Sequence, residues 1–206
     1  MSRKVSGVRP HRASTIRPED LYRSRPPWDI GRPQPAFHAL TAAGTITGRM
    51  LDAGCGTGEH TLMCAAIGLD ATGVDLAANA LETARRKVHD RGLSARFLQL
   101  DARDLDELDE TFDTVLDCGL FHVFDPDARP AYLAGLAAAT GPGARYFMLC
   151  FSDQQPGESG PHRVSRSEII AAFADGWRID AIEPARIEVT IDPDGIRAWA
   201  VAATRV

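Results

Sequence analysis

Apolar and polar positions follow two different periodicities along most of the chain, and their alternation predicts its secondary structure. Short apolar runs, typical of buried strands, are followed by stretches with apolar residues three and four positions apart, typical of amphipathic helices. The pattern predicts helices over 36–44, 59–67, 78–91 and 129–139, and a further helix from a capping box at 165–168 to about 175. It predicts strands over 49–52, 71–75, 95–100, 112–117 and 145–151.

The C-terminal part of the chain changes to a β pattern throughout. Strand-like runs cover 177–183, with an extension through 187–191, and then 196–204. Residues 192–195 have the sequence Asp-Pro-Asp-Gly, and such a turn between apolar runs predicts a hairpin. Five strands that alternate with helices predict an α/β fold with a doubly wound, mostly parallel sheet. The hairpin then adds an antiparallel strand at or near one edge.

The charge of the chain is unevenly distributed. Residues 1–35 carry eight Lys or Arg against three acids, a net charge of +5, which leaves −10 on residues 36–206. We therefore expect a flexible basic tail over 1–25 and a single domain over 26–206, and we expect the Trp-containing segment 26–35 to dock on this domain. The acidic body argues against nucleic acid as a partner, because duplex binding requires a basic face.

Several classes of protein are disfavoured by what the sequence lacks. Its longest strongly apolar run, 146–151, is far shorter than the roughly 18 residues of a membrane span, and no apolar segment follows the basic N-terminus as in a secretory signal. No His, Cys or acid cluster has metal-ligand spacing. The cysteines are scattered, so reduced thiols and a cytoplasmic location are the simplest expectation. These cysteines are Cys55, Cys64, Cys118 and Cys150.

A glycine-rich loop connects the first predicted strand to the second helix. It contains Asp52, Gly54, Gly56 and Gly58 in the pattern DxGxGxG. Glycines allow the backbone to turn sharply and a ligand to approach it closely. The GxGxxG fingerprint of dinucleotide-binding proteins fails, because its sixth position is Glu59. An acid at the strand end suits a positively charged ligand, while the helix N-terminus offers N–H donors to a carboxylate.

Three further strands also end in aspartate, at Asp75, Asp101 and Asp117. Open α/β sheets bind ligands at this carboxyl edge, so we predict that Asp75, with the adjacent Leu76, holds a ribose diol. Asp101, with the adjacent Ala102, is predicted to accept a hydrogen bond from an exocyclic amine such as that of adenine. A single aspartate after a strand is more often a helix cap or turn residue, and this alternative stays open, above all for Asp117.

These motifs together resemble a class I S-adenosylmethionine-dependent methyltransferase. The resemblance is carried by LDAGCGTG at 51–58, GVD at 73–75, Asp101-Ala102 and FDTVLDCGLFH at 112–122. It implies a Rossmann-like methyltransferase sheet, S-adenosyl-L-methionine as cofactor and S-adenosyl-L-homocysteine as product. One departure is Ala77-Ala78, where the family often has a serine that caps the helix.

The segment PPWDIGRPQP at 26–35 extends the resemblance toward a smaller group. It is similar to the N-terminal segment of the thiopurine, halide and tellurite methyltransferase-like enzymes, and of small bacterial enzymes that methylate heterocyclic or quinone-type toxins. The resemblance implies that Trp28 and Gly31 line the methionine end of the cofactor site. It also implies a small, aromatic or heterocyclic acceptor methylated on O, S or N.

Methyl transfer from a sulfonium is an in-line displacement that depends mainly on alignment and a dry site, and it requires no metal. A neutral acceptor still benefits from a base, and His122, after the fourth strand, is the predicted catalytic residue. The alternative is a structural histidine. His162, in the Gly/Pro-rich loop 152–164, is a weaker candidate for contact with the acceptor.

Two other functions stay open at this point. One is a nicotinamide-dependent oxidoreductase, which the failed GxGxxG pattern disfavours. The other is a non-catalytic module that binds S-adenosylmethionine without turnover.

Overall fold

The computed structural model describes residues 17–157 and 160–206. The helices are α1 (Pro35–Ala42), α2 (Glu59–Ala66), α3 (Ala78–Arg91), α4 (Arg129–Ala138) and α5 (Arg166–Ala172). The strands are β1 (Arg49–Ala53), β2 (Asp70–Asp75), β3 (Arg96–Gln99), β4 (Phe112–Cys118), β5 (Thr140–Phe151), β6 (Trp177–Val189) and β7 (Asp192–Arg205). Short 3₁₀ helices lie at Pro18–Tyr22, Ala102–Leu108 and Phe121–Val123.

The seven strands form one sheet in the order β3-β2-β1-β4-β5-β7-β6. Strands β1 to β5 pair in parallel, whereas β7 is antiparallel to both β5 and β6. The doubly wound, mostly parallel fold with an antiparallel C-terminal hairpin is therefore confirmed. Chain order reverses between β1 and β4, and a crevice at such a switch point is where open α/β sheets bind ligands.

The two central strands are buried because helices cover both faces of the sheet. Alternate side chains of a strand point to opposite faces. Leu51 and Val115 accordingly belong to the hydrophobic cluster on one face, and Met50 and Leu116 to the cluster on the other. Side chains at the carboxyl ends of β1 and β4 are therefore held in a densely packed environment.

The C-terminal hairpin differs from the prediction in where its turn lies. The turn residues are Thr190 and Ile191, and the segment 192–195 forms the beginning of β7. Gly195 has a φ of +66°, and the register of β6 against β7 shifts between Ile187 and Val189. The turn-like residues are thus accommodated as a β-bulge, which tolerates a glycine with positive φ inside a paired strand.

Part of the predicted N-terminal tail packs on the domain. Residues 18–22 form a 3₁₀ helix, and Asn79 of α3 donates a 2.9 Å hydrogen bond to the carbonyl of Glu19. Further along, the N–H of Thr190 donates to the carbonyl of Pro27 at 2.8 Å. The segment before α1 therefore runs over the domain from α3 to the β6–β7 hairpin. Residues 1–16 of the predicted tail lie outside the described residues.

Across 17–157 and 160–206, no helix combines the length and apolar character that crossing a membrane requires.

Candidate active site

The glycine loop between β1 and α2 has a backbone that disfavours larger residues. Gly54, Gly56 and Gly58 have φ values of +72°, +51° and +84°, in the left-handed region. The loop is also tightly packed, because a Cβ atom on Gly58 would come within 2.7 Å of the Phe97 ring. The N–H of Gly54 donates to the carbonyl of Val74 at 2.9 Å, which fastens the loop to β2. The loop is therefore fixed beside the end of β2.

Asp75, at the end of β2, faces this loop as predicted from the sequence. Its Oδ2 accepts a hydrogen bond from the N–H of Gly56 and its Oδ1 one from the N–H of Ala77, both at 2.8 Å. Partial burial raises the pKa of the carboxyl, while these backbone donors oppose the rise. Each oxygen keeps acceptor capacity beyond its one backbone bond, which suits a diol. Leu76, next in the chain, leaves 41% of its surface exposed.

Asp101, at the end of β3, is partly occupied by a neighbouring arginine. It accepts hydrogen bonds from the backbone N–H of Arg103 at 2.9 Å and from Nε of Arg103 at 3.0 Å. This pairing lowers the pKa of the Asp101 carboxyl. Asp101 is also the N-cap of the 3₁₀ helix whose first residue, Ala102, is buried. An adenine amine would have to share a carboxylate that already caps a helix.

Asp117, at the end of β4, does not face a ligand. Its Oδ1 accepts from the N–H groups of Leu120 and Phe121 at 2.8 and 3.3 Å, and its Oδ2 from the hydroxyls of Tyr132 and Tyr146 at 2.8 and 2.7 Å. The side chain is fully buried, and this desolvation raises its pKa to about 6. The carboxylate is thus occupied by donors of the protein itself, and its role in binding the cofactor stays a prediction.

Asp52, on β1, is also directed inward. Its Oδ2 accepts from the N–H of Thr61 at 3.1 Å and from the Thr61 hydroxyl at 2.8 Å, at the beginning of α2. Its Oδ1 is buried and has no hydrogen-bond partner in the protein. Burial raises the pKa of this carboxyl to about 7. Buried polar atoms are usually hydrogen-bonded, so this unpaired oxygen is an exception within the described residues.

Two side chains of the N-terminal segment cover the glycine loop. The indole N–H of Trp28 donates to the hydroxyl of Tyr22 at 3.4 Å, and the two rings meet edge to face. The Tyr22 hydroxyl lies so close to the loop that a Cβ atom on Gly56 would come within 2.7 Å of it. Trp28 itself remains 46% exposed.

Asp29 connects the same segment to the loop from the other side. Its Oδ2 accepts from the hydroxyl of Thr57 at 3.0 Å, and its Oδ1 from the N–H of Gly31 at 3.0 Å. Gly31, with a φ of +73°, thus shapes a turn around Asp29. Sequence reasoning named Trp28 and Gly31 but missed Tyr22 and Asp29. Asp29 is adjacent to the tryptophan, whereas Tyr22 was assigned to the flexible tail.

His122 lies beyond β4 in a position that does not suit a base. Its Nδ1 accepts a 3.0 Å hydrogen bond from the N–H of Phe151, and its ring packs edge-on against the Phe151 ring. Burial, followed by the nearby His162 and Arg129, lowers the pKa of His122 to about 3. The neutral ring therefore carries its proton on Nε2 and donates from there. These contacts do not favour His122 as the base, and its catalytic role stays a prediction.

The comparison with known proteins agrees with this arrangement of loop and strands. A model of the methyltransferase domain matches residues 50–143, which contain the glycine loop and all four strand-end aspartates. The chain is 37% identical over 173 residues to the 2-heptyl-1-hydroxyquinolin-4(1H)-one methyltransferase of Mycobacteroides abscessus. That alignment covers 82% of this chain and 76% of the relative. This chain is a class I S-adenosylmethionine-dependent methyltransferase.

Two further relatives of this methyltransferase are described in terms that refer to sulfur chemistry. A solved structure that concerns the conversion of a disulfide bond into a thioacetal group during echinomycin biosynthesis superposes with a TM-score of 0.82. It is 38% identical in sequence, and the match covers 91% of each chain. A probable thiol methyltransferase 2 of Arabidopsis thaliana is 30% identical over 145 residues, 69% of this chain and 64% of the relative. Family membership sets aside the nicotinamide oxidoreductase interpretation.

The residues of this methyltransferase fit S-adenosylmethionine. The glycine loop allows its backbone to be approached, and Asp75 presents free acceptor capacity beside it. Leu76 adds exposed apolar surface next to Asp75, and within the described residues Oδ1 of Asp52 is buried and unpaired. When bound, the cofactor supplies a methyl group activated by its sulfonium. The roles of the individual residues in holding it are part of the proposal below.

The described residues contain no group of three or more His, Cys, Asp and Glu side chains arranged to hold a metal ion.

Proposed function

We propose that this methyltransferase transfers the methyl group of S-adenosylmethionine to the oxygen of a hydroxyl group on a small heteroaromatic acceptor. The observation that carries this proposal is the 37% identity, over 82% of the chain, to an enzyme named for a hydroxylated quinolone. Aromatic side chains at the carboxyl edge of the sheet support it. Trp28 is 46% exposed, and the Phe151 ring, at the end of β5, is partly exposed. Such rings suit a flat acceptor.

In this proposal the cofactor is held by the outer strands and the N-terminal segment. Asp75 accepts hydrogen bonds from the ribose, Leu76 packs on the base, and Asp101 with Ala102 borders the base. Gly54 and Gly56 allow close approach to the backbone. Trp28 and Gly31, together with Tyr22 and Asp29, cover the loop and exclude water. Alignment and exclusion of water are the main contributions that a protein makes to a displacement from a good leaving group.

Transfer to sulfur is the second candidate function. It is favoured by the thiol methyltransferase relative and by the structural neighbour linked to thioacetal formation. A thiolate is already a strong nucleophile, so this reaction would need no base from the protein. The two candidates therefore differ in what they demand of the residues on the acceptor side.

A matched set of acceptors distinguishes the two. Purified protein is incubated with S-adenosylmethionine and 2-heptyl-1-hydroxyquinolin-4(1H)-one, the same quinolone without its 1-hydroxyl group, or thiophenol. We expect release of S-adenosylhomocysteine with the hydroxylated quinolone and almost none with its deoxy analogue, and NMR should locate the new methyl group on oxygen. Release with thiophenol alone would favour transfer to sulfur, and release with none of the three would contradict the proposed acceptor class.

We also propose that transfer proceeds without a metal ion, because displacement from a sulfonium needs no Lewis acid. The rate should be unchanged after dialysis against EDTA. A loss of activity that added Mg²⁺ or Zn²⁺ restores would contradict this.

A further inference from the structure

We propose that His162, oriented by Glu168, is the base that removes the proton of the acceptor hydroxyl. The inference rests on the proposed function, since only a hydroxyl acceptor needs such a base. It replaces His122, whose Nδ1 is occupied by the backbone of Phe151.

The pairing of His162 with a carboxylate carries the inference. Nε2 of His162 lies 2.7 Å from Oε1 of Glu168, and the His162 side chain is 48% exposed. When Nε2 donates its hydrogen to the carboxylate, Nδ1 is left unprotonated and able to accept a proton. A carboxylate that orients an imidazole and stabilises its charged form is the arrangement used in hydrolytic triads. Both neutral rings then carry their proton on Nε2, but Nδ1 of His122 already accepts from the backbone of Phe151, whereas no hydrogen bond among the described residues occupies Nδ1 of His162.

Glu168 is held firmly enough to orient a partner. Its Oε2 accepts from the N–H of Ser165 at 2.8 Å and from the Ser165 hydroxyl at 2.9 Å, within the capping box of α5. Its Oε1 also accepts from Nη1 of Arg129 at 3.1 Å. These donors lower the pKa of Glu168 to about 2, so it stays ionised over the range in which a histidine titrates.

His162 belongs to the same edge of the sheet as the glycine loop. Its loop is fastened to the end of β5, because the N–H of Val164 donates to the carbonyl of Phe151 at 2.9 Å. Phe151 packs against His122, and His122 interacts electrostatically with His162. Two residues before His122, the Leu120 side chain lies 3.1 Å from where a Cβ of Gly54 would be. Contacts through Phe151 and His122 thus connect the loop that carries His162 to the residues that border the glycine loop.

The charged and titratable groups that face His162 come from three elements. Glu168 of α5 contacts Nε2 of His162, and Arg129 of α4 contacts the same oxygen of Glu168. His122, in the 3₁₀ helix after β4, is neutral.

The methyl transfer conserves atoms and charge. The acceptor oxygen forms a bond to the methyl carbon while the carbon–sulfur bond breaks and leaves its electron pair on sulfur. The hydroxyl proton moves to Nδ1 of His162. From this half-exposed ring it passes to solvent, which restores the neutral base.

The test compares His162→Ala with a matched control. His89→Ala removes an exposed histidine that also neighbours a carboxylate, Asp90, but lies on α3. Acceptors are 2-heptyl-1-hydroxyquinolin-4(1H)-one and 8-hydroxyquinoline, and the readout is S-adenosylhomocysteine release across pH. We expect kcat of His162→Ala to fall about 100-fold below the pKa of the acceptor hydroxyl, with cofactor affinity unchanged, because general bases typically contribute roughly 10²–10⁴-fold.

Two further readouts separate a base from a structural role. Above the pKa of the acceptor, where the hydroxyl is already ionised, His162→Ala and wild type should converge, and added imidazole should restore the variant at lower pH. Glu168→Gln should shift the pH profile of kcat, and thermal unfolding of the same variant measures separately any loss of the α5 capping box. Equal rates for wild type and His162→Ala at all pH values would overturn the inference. Wild-type turnover of neither acceptor would instead contradict the proposed function.

Discussion

The four strand-end aspartates form two pairs that differ in environment despite their similar sequence context. Asp52 and Asp117 end the adjacent central strands β1 and β4, and at most 1% of either side chain is exposed. Asp75 and Asp101 end the outer strands β2 and β3 and are partly exposed. The inner pair accepts hydrogen bonds from Thr61 and from two tyrosines inside the protein. The outer pair accepts hydrogen bonds mainly from nearby backbone N–H groups and from the side chain of Arg103.

This difference shows that an aspartate at a strand end marks an edge of the sheet but does not determine which way the side chain faces. Burial raises the pKa values of Asp52 and Asp117 to about 7 and about 6. Arg103 lowers that of Asp101. Strands at the centre of a doubly wound sheet have helices on both sides, so their polar ends find partners within the fold. The outer strands leave their aspartates partly exposed, and the proposed function assigns these aspartates to the cofactor.

The largest effect should come from Asp75→Ala. It removes the carboxylate predicted to accept from a ribose diol, and hydrogen bonds to a charged group contribute roughly 1.5–3 kcal/mol each. We expect at least about a 100-fold loss of S-adenosylmethionine affinity by calorimetry. The matched control, Asp70→Ala, changes an exposed aspartate at the other end of β2 and should leave affinity unchanged. If Asp75→Ala bound S-adenosylmethionine with wild-type affinity, the role proposed for the outer pair would be contradicted.

Asp117→Asn should reduce stability and leave cofactor affinity intact. The variant cannot satisfy all of the internal donors, and an unmet buried donor costs about 1–3 kcal/mol. Because the pKa of Asp117 is higher in the folded protein, about 6, than the ordinary aspartate value of 3.8, folding favours its protonated form. Its contribution to the unfolding free energy is therefore complete below about pH 4 and is lost as pH rises through 6.

Urea unfolding at several pH values measures this difference. The destabilisation caused by Asp117→Asn should be largest near pH 4 and smaller at pH 7, since the titrations of His60 and His122 are common to both proteins and cancel. Asp113→Asn, on the exposed side of β4, serves as the control for substitution on this strand. A fall in cofactor affinity of the folded variant would return Asp117 to the ligand site.

The smallest effect should come from Asp101→Ala. Arg103 already engages this carboxylate, so we expect less than about a tenfold loss of cofactor affinity, and loss of the N-cap should cost about 1 kcal/mol of stability. Asp101→Asn keeps a good N-cap residue while removing the charge. Comparing both variants by calorimetry and thermal unfolding separates capping from binding. A loss as large as that of Asp75→Ala would show that Asp101 is a principal cofactor contact.

Local patterns predicted the regular elements well. Helix α3 spans Ala78–Arg91 as its periodicity and the following Gly92 indicated, and the capping box at Ser165 and Glu168 is present. The hairpin turn was misplaced, because pairing of β6 with β7 continues past residues 192–195, which a bulge accommodates. Tyr22 was missed because only the tertiary structure brings it close to Trp28 and to the glycine loop.

The sequence by itself determined the parallel sheet, its antiparallel hairpin and the glycine loop, since periodicity and backbone freedom are local properties. It also located the strand ends, the edge at which open α/β sheets bind ligands. Only the tertiary structure decided which groups remain available there. Asp117 meets Tyr132 and Tyr146, and His122 meets the backbone of Phe151, through residues far apart in the chain. Hydrogen-bond partners and desolvation depend on such long-range packing, and no periodicity in the sequence encodes them.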